Sequence, residues 1–228
     1  MATAPPNTIT IRPSKSPNLP MAPSQYAPQY HEQLTNALRL YFAQVDNGNA
    51  AVFGPDGGQY LQNPHIGAQN NTSQYALGNN IPTLLIFDSL DSISGFTLFP
   101  AGYAKANQSG VYKIDYSLQF ANTDNAQHDA FVWLQTNGTV VPGSSSRFTI
   151  PARKSAGVFG YVTAYSSLTF EINKDDEIRL WWTTEVAATA GGTLGVFMQA
   201  IPAQTVPYPR PTNPSAVGSI VFVSRLPA

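Results

Sequence analysis

Residues able to do chemistry are few and scattered in this chain. The three histidines are His31, His65 and His128, and none stands at a metal-ligand spacing such as His-x-x-x-His. His128-Asp129 has the residue types of an acid/base pair, yet neighbours in a strand point to opposite faces and would not converge on one substrate. Gly143-Ser144-Ser145-Ser146 departs from the Gly-x-Ser-x-Gly elbow of a nucleophilic serine, and Ser and Gly suit a turn for backbone reasons. Asp175 and Asp176 have the chemistry for calcium, but two carboxylates on a turn are ordinarily solvated. With Cys 0, thiol nucleophiles, disulfides and Cys-based zinc sites are all removed. No phosphate-cradling glycine loop precedes a helix. The Asn-x-Ser/Thr triplets at Asn70, Asn71, Asn107 and Asn137 carry no meaning without a secretory route. The expectation is a non-enzymatic chain with no catalytic, cofactor or metal residues.

Composition narrows the partners. The net charge is -1 and the pI ≈ 6.3, so no basic footprint exists for phosphates or an anionic membrane. No stretch approaches the ~18 apolar residues of a membrane span. The start, Met1 to Pro6, lacks the basic-then-apolar layout of a signal peptide, which implies synthesis and assembly in a cytoplasm. Charged residues are only 11%, far below the roughly 25% of ordinary soluble domains. Polarity is carried by Asn, Gln, Ser and Thr instead. Gly 17 and Pro 19 in 228 residues, together with the aromatic content, indicate an all-β domain rich in turns.

Four segments are expected. Residues 1–28 form a Pro-rich arm, extended because proline blocks helix interiors and sheet ladders alike. It is either a flexible tail or a segment laid along a partner by Ile9, Ile11, Leu19 and Met21. Residues 29–48 form an amphipathic helix, since Tyr30, Leu34, Ala37, Leu38, Tyr41, Phe42 and Val45 share one face. Pro28 suits its first turn and Asp46-Asn47-Gly48 its stop. The stripe packs either on its own domain or on copies of itself. Residues 49–82 read as an irregular connection, with a short strand near Ala51 to Phe53.

From residue 83 to residue 228 the period is two. In Gly110 to Ala121, Tyr112, Ile114, Tyr116, Leu118 and Phe120 point one way and Lys113, Asp115, Ser117 and Gln119 the other. Asp129 to Thr136 is apolar on both faces, and Asn137-Gly138 is a hairpin signal. Further strands are expected at Leu84 to Asp88, Ser94 to Phe99, Ser146 to Ile150, Gly157 to Ala164, Leu168 to Ile172, Glu177 to Thr183, Leu194 to Ile201 and Gly218 to Ser224. Short, evenly spaced strands of this kind make an antiparallel sandwich or barrel. Ile178, Leu180 and Trp182 take the core face of their strand, leaving Trp181 outside. Cover for Trp181, Phe131 and Trp133 comes either from a subunit interface or from the N-terminal helix.

Ser109-Gly110-Val111-Tyr112-Lys113-Ile114-Asp115-Tyr116-Ser117 resembles a strand of the tumour-necrosis-factor/complement globular-head superfamily. Phe131-Val132-Trp133-Leu134-Gln135-Thr136-Asn137-Gly138 is similar to its strand and hairpin. The run Ser166 to Leu180 is similar to its strand, turn and strand, with Asp175 in place of the customary Gly. Val217-Gly218-Ser219-Ile220-Val221-Phe222 resembles the last strand, with Val217 where an aromatic is usual. The resemblance implies a jelly roll that trimerises around a threefold axis and binds through loops or subunit grooves, without catalysis. Ahead of it, the Pro-rich arm and Tyr26 to Phe42 resemble small virion proteins of tailed phages, particularly those of marine and cyanobacterial hosts.

These resemblances imply a virion structural protein: an oligomeric, most simply trimeric, head decoration or cement protein, or a fibre-like component. Ile9, Ile11, Leu19, Met21, Tyr30, Leu34, Leu38, Tyr41 and Phe42 would contact a major capsid or tail component. Phe131, Trp133 and Trp181 would form the oligomer interface. No cofactor, nucleic acid or membrane is implied, and a host-surface glycan is a further candidate partner. The alternative is a receptor- or carbohydrate-binding jelly-roll module, in a tail fibre or a non-viral lectin-like protein.

Overall fold

The computed structural model describes residues 17–21, 25, 27–53, 63–99 and 102–226. It divides into two units, Met1–Gln62 and Asn63–Ala228. Ile9 and Ile11 lie outside the described residues.

The first unit contains one helix, α1 (Pro28–Phe53). Pro28 opens it as expected, and the Tyr30 amide donates to the Ala27 carbonyl across the first turn at 3.0 Å. The helix runs past the expected stop: Gly48 does not take the left-handed conformation of a C-cap, so it weakens the helix without ending it. Ala51 to Phe53 are therefore helical, where a short strand was expected.

The second unit is all-β. Its strands in chain order are β1 (His65–Asn70), β2 (Thr83–Leu84), β3 (Ser89–Ser94), β4 (Phe96–Phe99), β5 (Tyr103–Ala106), β6 (Gly110–Asn122), β7 (His128–Thr136), β8 (Thr139–Val140), β9 (Ser146–Ile150), β10 (Gly160–Ile172), β11 (Glu177–Thr184), β12 (Val196–Met198) and β13 (Ala216–Ser224). They form two antiparallel sheets. One has the order β10-β6-β13-β1-β3 with β12 also on β6; the other has β4-β5-β11-β7-β8 with β2 on β11 and β9 on β7. This is a jelly-roll sandwich.

β1 lies in the segment expected to be irregular, so the domain begins at Asn63 rather than at residue 83. Its small residues Gly67 and Ala68 weaken the alternating signal, although Ile66, Ala68 and Asn70 are all buried. β10 likewise joins two expected strands into one, because Tyr165-Ser166-Ser167 stays paired to β6 despite its polarity. Of the expected 84–88 strand only Leu84 lies in a strand, paired together with Thr83, and the expected 94–99 strand breaks at Gly95 (φ 66), separating β3 from β4.

The core follows the alternation of β6. Tyr112, Ile114, Tyr116, Leu118 and Phe120 are all fully or almost fully buried, and Phe120 meets Trp182 of β11 with ring centroids 5.7 Å apart. Ile178 and Leu180 are buried beside it. Gly110, at the start of β6, lies where any Cβ would sit 2.5 Å from the Phe222 ring. The β7–β8 turn has φ 50 at Asn137 and 78 at Gly138, the two left-handed residues of a type I′ hairpin. Asp175, where the resembling family has Gly, takes φ 68.

Buried amides tie the ends of the sandwich. Asn122 donates to the carbonyls of Ala126 at 2.7 Å and Pro151 at 3.1 Å, and accepts from the Asp124 amide at 2.9 Å. Asn70 donates to the Ile86 carbonyl at 2.8 Å. Each satisfies loop groups that would otherwise be buried without partners.

Replacing Tyr116 or Phe120 by Ala is expected to cost about 3–5 kcal/mol, and Gln119→Ala, on the opposite face, within about 0.5 kcal/mol. The Tyr116 hydroxyl is buried with no hydrogen-bond partner, so Tyr116→Phe is expected to raise stability by about 1 kcal/mol. A urea series reads all four; equal losses at Tyr116→Ala and Gln119→Ala would contradict the register.

Candidate binding surfaces

The residues singled out for chemistry do not assemble. His128 bonds Asp124 at 2.8 Å, whereas Asp129 pairs with Arg147 at 2.9 Å and accepts from Thr149 at 2.6 Å. Each therefore has its own local partner. His65 lies on the outward side of β1 with its Nδ1 2.8 Å from the Asn63 carbonyl, and His31 is on α1. Ser144 hydrogen-bonds the Val141 carbonyl at 2.7 Å, closing the turn after β8. Asp176 accepts from the Asn173 amide at 2.8 Å and from Asn137 at 2.7 Å, which fastens two turns together. Among the described residues, no three His, Cys, Asp or Glu side chains gather as metal ligands. No described helix is long and apolar enough to cross a membrane.

Binding chemistry lies instead on the outward faces of the sheets. On the second sheet, Trp181 sits in register between Trp133 and Leu84, and Phe131 between Thr183 and Arg147. The three expected interface aromatics do face outward, but each is half-buried by such neighbours within the chain. Beside them the Arg179 guanidinium lies 4.9 Å over Tyr103, which stacks on Phe99 at 4.5 Å. Glu177 takes Arg179 at 2.9 Å and Lys105 at 3.2 Å. The hydrogen bond from Lys105 holds the Glu177 carboxyl below its ordinary value, with Arg179 adding to the effect.

More apolar surface is left open on the first sheet. Tyr161 and Tyr165 of β10 are 55% and 60% exposed, and Val217, Val221 and Val223 of β13 are 39%, 41% and 57% exposed. Register places Tyr165, Ser117 and Val217 in one row and Thr169, Lys113 and Val221 in another. Between them Asp115 takes Lys113 at 2.9 Å and the Tyr165 hydroxyl at 3.1 Å. Burial pushes the Asp115 carboxyl up, but hydrogen bonds from Lys113, Ser167 and Tyr165 outweigh it and leave it below its ordinary value. This stripe escaped the sequence reading, although Tyr161, Thr163 and Tyr165 alternate with inward residues and carry the signal.

In the first unit, Leu19 and Met21 are exposed. Tyr30, Leu34, Leu38 and Tyr41 lie half-buried on α1. Phe42 is exposed, because one 100° step beyond Tyr41 brings it to the rim of the stripe.

No family model matches the chain, and no curated protein matches it. Among solved structures, the chain is similar to the globular domain of a zebrafish complement 1qA protein, at 12% identity and a TM-score of 0.42, over 72% of this chain and 100% of that one.

Asp115, Asp124 and Glu177 all sit below their ordinary values, Asp124 chiefly through its hydrogen bond with His128. Each binds its proton more weakly folded than unfolded, so the stability they contribute is complete above about pH 4 and is lost as pH falls through the lower folded values. Unfolding free energy in urea is expected to hold level down to about pH 5 and to decline below about pH 4. Asp115→Asn should lower stability at neutral pH and flatten that decline. A curve with the same acid slope in the variant would contradict the role given to Asp115.

Proposed function

We propose that this chain is a non-enzymatic structural component of a tailed-phage particle, a trimeric jelly-roll head tethered by its N-terminal unit to a major capsid or tail component. The observation that carries this reading is the division of labour along the chain. A complete core lies within Asn63–Ala228, while the unit ahead of it presents Leu19, Met21, Leu40 and Phe42 to solvent. A segment with exposed apolar side chains is suited to lie against a neighbour. Head decoration or cementing ranks ahead of a fibre-like role, since a trimer offers one docking surface repeated at threefold positions. The place of action would be the virion. A receptor- or carbohydrate-binding role is the second reading, supported by the groove described below.

The stripe of Tyr165, Val217, Val221 and Val223 is the proposed trimer contact, and the half-buried row of Phe131, Trp133 and Trp181 is the second candidate face. Light scattering is expected to give a mass about three times the 24.6 kDa of the chain. Tyr165→Lys should dissociate it and Trp133→Lys should not; the reverse would move the interface to the tryptophan face. A monomer at micromolar concentration would remove the trimer.

Deleting residues 1–28 should leave thermal unfolding and oligomer mass unchanged while weakening attachment to the particle. Fixing a backbone segment costs about 1–2 kcal/mol per residue, so a tether of this kind must recover that cost by burial on its partner. Undiminished particle binding would discard the arm as tether.

A further inference from the structure

The outward face of the first sheet changes character where β12 joins β6. Gln74 and Met198 exchange backbone hydrogen bonds of 2.9 Å in an antiparallel bridge. Tyr75 is therefore set opposite Phe197, and Ser73 opposite Gln199. Phe197 in turn faces Ala121, and Ala121 faces Tyr161. The Gln199 amide donates to the Gln119 carbonyl at 2.8 Å, and Gln119 faces Thr163. Two parallel rows result. Tyr75, Phe197 and Tyr161 make an aromatic row, and Ser73, Gln199, Gln119 and Thr163 make a row of hydroxyls and amides.

The aromatic row is rigid. Tyr75 stacks on Phe197 at 5.1 Å and 4°, and being only half-buried it still lines the groove. Phe159 meets Phe197 edge-on at 6.2 Å and Tyr161 at 6.2 Å. Phe197, Ala121 and Ala188 are buried beneath. Residues 188–194, held by the Thr189 hydroxyl accepting from the Thr193 amide at 2.8 Å, form one wall, and Arg153 and Thr123 line the groove as well. The groove is open to solvent and has a volume of about 420 Å³.

Two polar features select the occupant. The Gln199 carbonyl oxygen Oε1 has no hydrogen-bond partner and is shut off from solvent, a costly state that a ligand O–H donor would relieve once the Gln199 amide turns into the groove. Arg153 is anchored at the rim by donating from Nε to Asn125 at 2.7 Å. No Asp or Glu lines the groove, and a single guanidinium is too little for a polyphosphate. A lipid chain would offer nothing to the Gln199 amide and the Arg153 guanidinium. A pyranose ring meets both rows at once, with a flat C–H face for an aromatic ring and equatorial hydroxyls for amides and guanidinium.

We propose that this groove is a saccharide site, taking a neutral hexopyranose unit with its C–H face on Tyr75 and a hydroxyl donating to Gln199 Oε1 after that amide turns into the groove. The site lies past the end of the Tyr165–Val217 stripe and does not depend on the particle-component reading, since particle attachment is tested through the arm and not through these residues.

The experiment uses the full-length protein on an array of neutral, uronate-bearing and sialylated glycans, followed by saturation-transfer and chemical-shift NMR with the methyl hexopyranoside of the best neutral hit. Neutral glycans are expected to bind, with perturbed shifts centred on Tyr75, Phe197 and Gln199. Tyr75→Ala and Gln199→Leu should each weaken binding about tenfold or more, and Tyr75→Phe should retain it. The shift map in the unaltered protein reads the site even where a variant fails to fold. Absence of binding to any neutral glycan, binding confined to acidic glycans, or shifts mapping elsewhere would each overturn the proposal. Unchanged affinity in well-folded Tyr75→Ala and Gln199→Leu would overturn it too.

Discussion

The pairing of β6 along both of its edges governs the domain. β10 pairs every residue from Gly110 to Asn122, while β13 and β12 share the opposite edge. A one-residue slip would turn Tyr112, Tyr116 and Phe120 to the surface and bury Lys113 and Asp115. That exchange forfeits several kcal/mol for each aromatic and adds the desolvation of two charges. With the register held in this way, the rows across the sheet follow: Tyr165 beside Ser117 and Val217, Tyr161 beside Ala121 and Phe197. The surface chemistry is thus set by the same alternation that fills the core.

The two sheets dispose of their outward aromatics differently. On the second sheet, Arg179, Tyr103, Phe99 and Lys105 cover one another through cation–π and stacking contacts, and Trp181 lies against Trp133. That side is largely satisfied within the chain. On the first sheet, the cover stops short at Tyr165 and at the β13 valines, which stay partly exposed. At the far end, half-buried Tyr75 stacks on buried Phe197, with Gln199 beside them. The wider run of exposed apolar side chains on the first sheet is what points to partners on that side.

Legibility followed the strength of the local signal. The inward set of β6 was readable because five large apolar residues alternate without interruption, and the Asn137-Gly138 turn because φ > 0 at both positions demands those residue types. β1 was missed because Gly67 and Ala68 carry almost no side chain, and its place depends on pairing with β13 more than a hundred residues away. The helix ran past Gly48 because a glycine ends a helix only where the chain turns left-handed. The groove was invisible for a different reason. Its residues come from four separated stretches, around Tyr75, Thr123, Phe159 and Phe197, and no spacing within any one of them announces the others.

The low charge content ties the surfaces together. With 11% charged residues, the first sheet meets its surroundings through Tyr, Ser, Thr, Gln and Val, and its one ion pair, Lys113 with Asp115, is internal to a single strand. Contacts made by such groups depend on shape and hydrogen bonding, which salt hardly screens, whereas exposed ion pairs weaken as ionic strength rises. The proposed trimer contact, tether and saccharide groove would share this insensitivity. For a protein proposed to act on a particle outside the buffered interior of a cell, holding partners without relying on charge is the physically consistent solution, and the Asn, Gln, Ser and Thr bias of the composition is its signature.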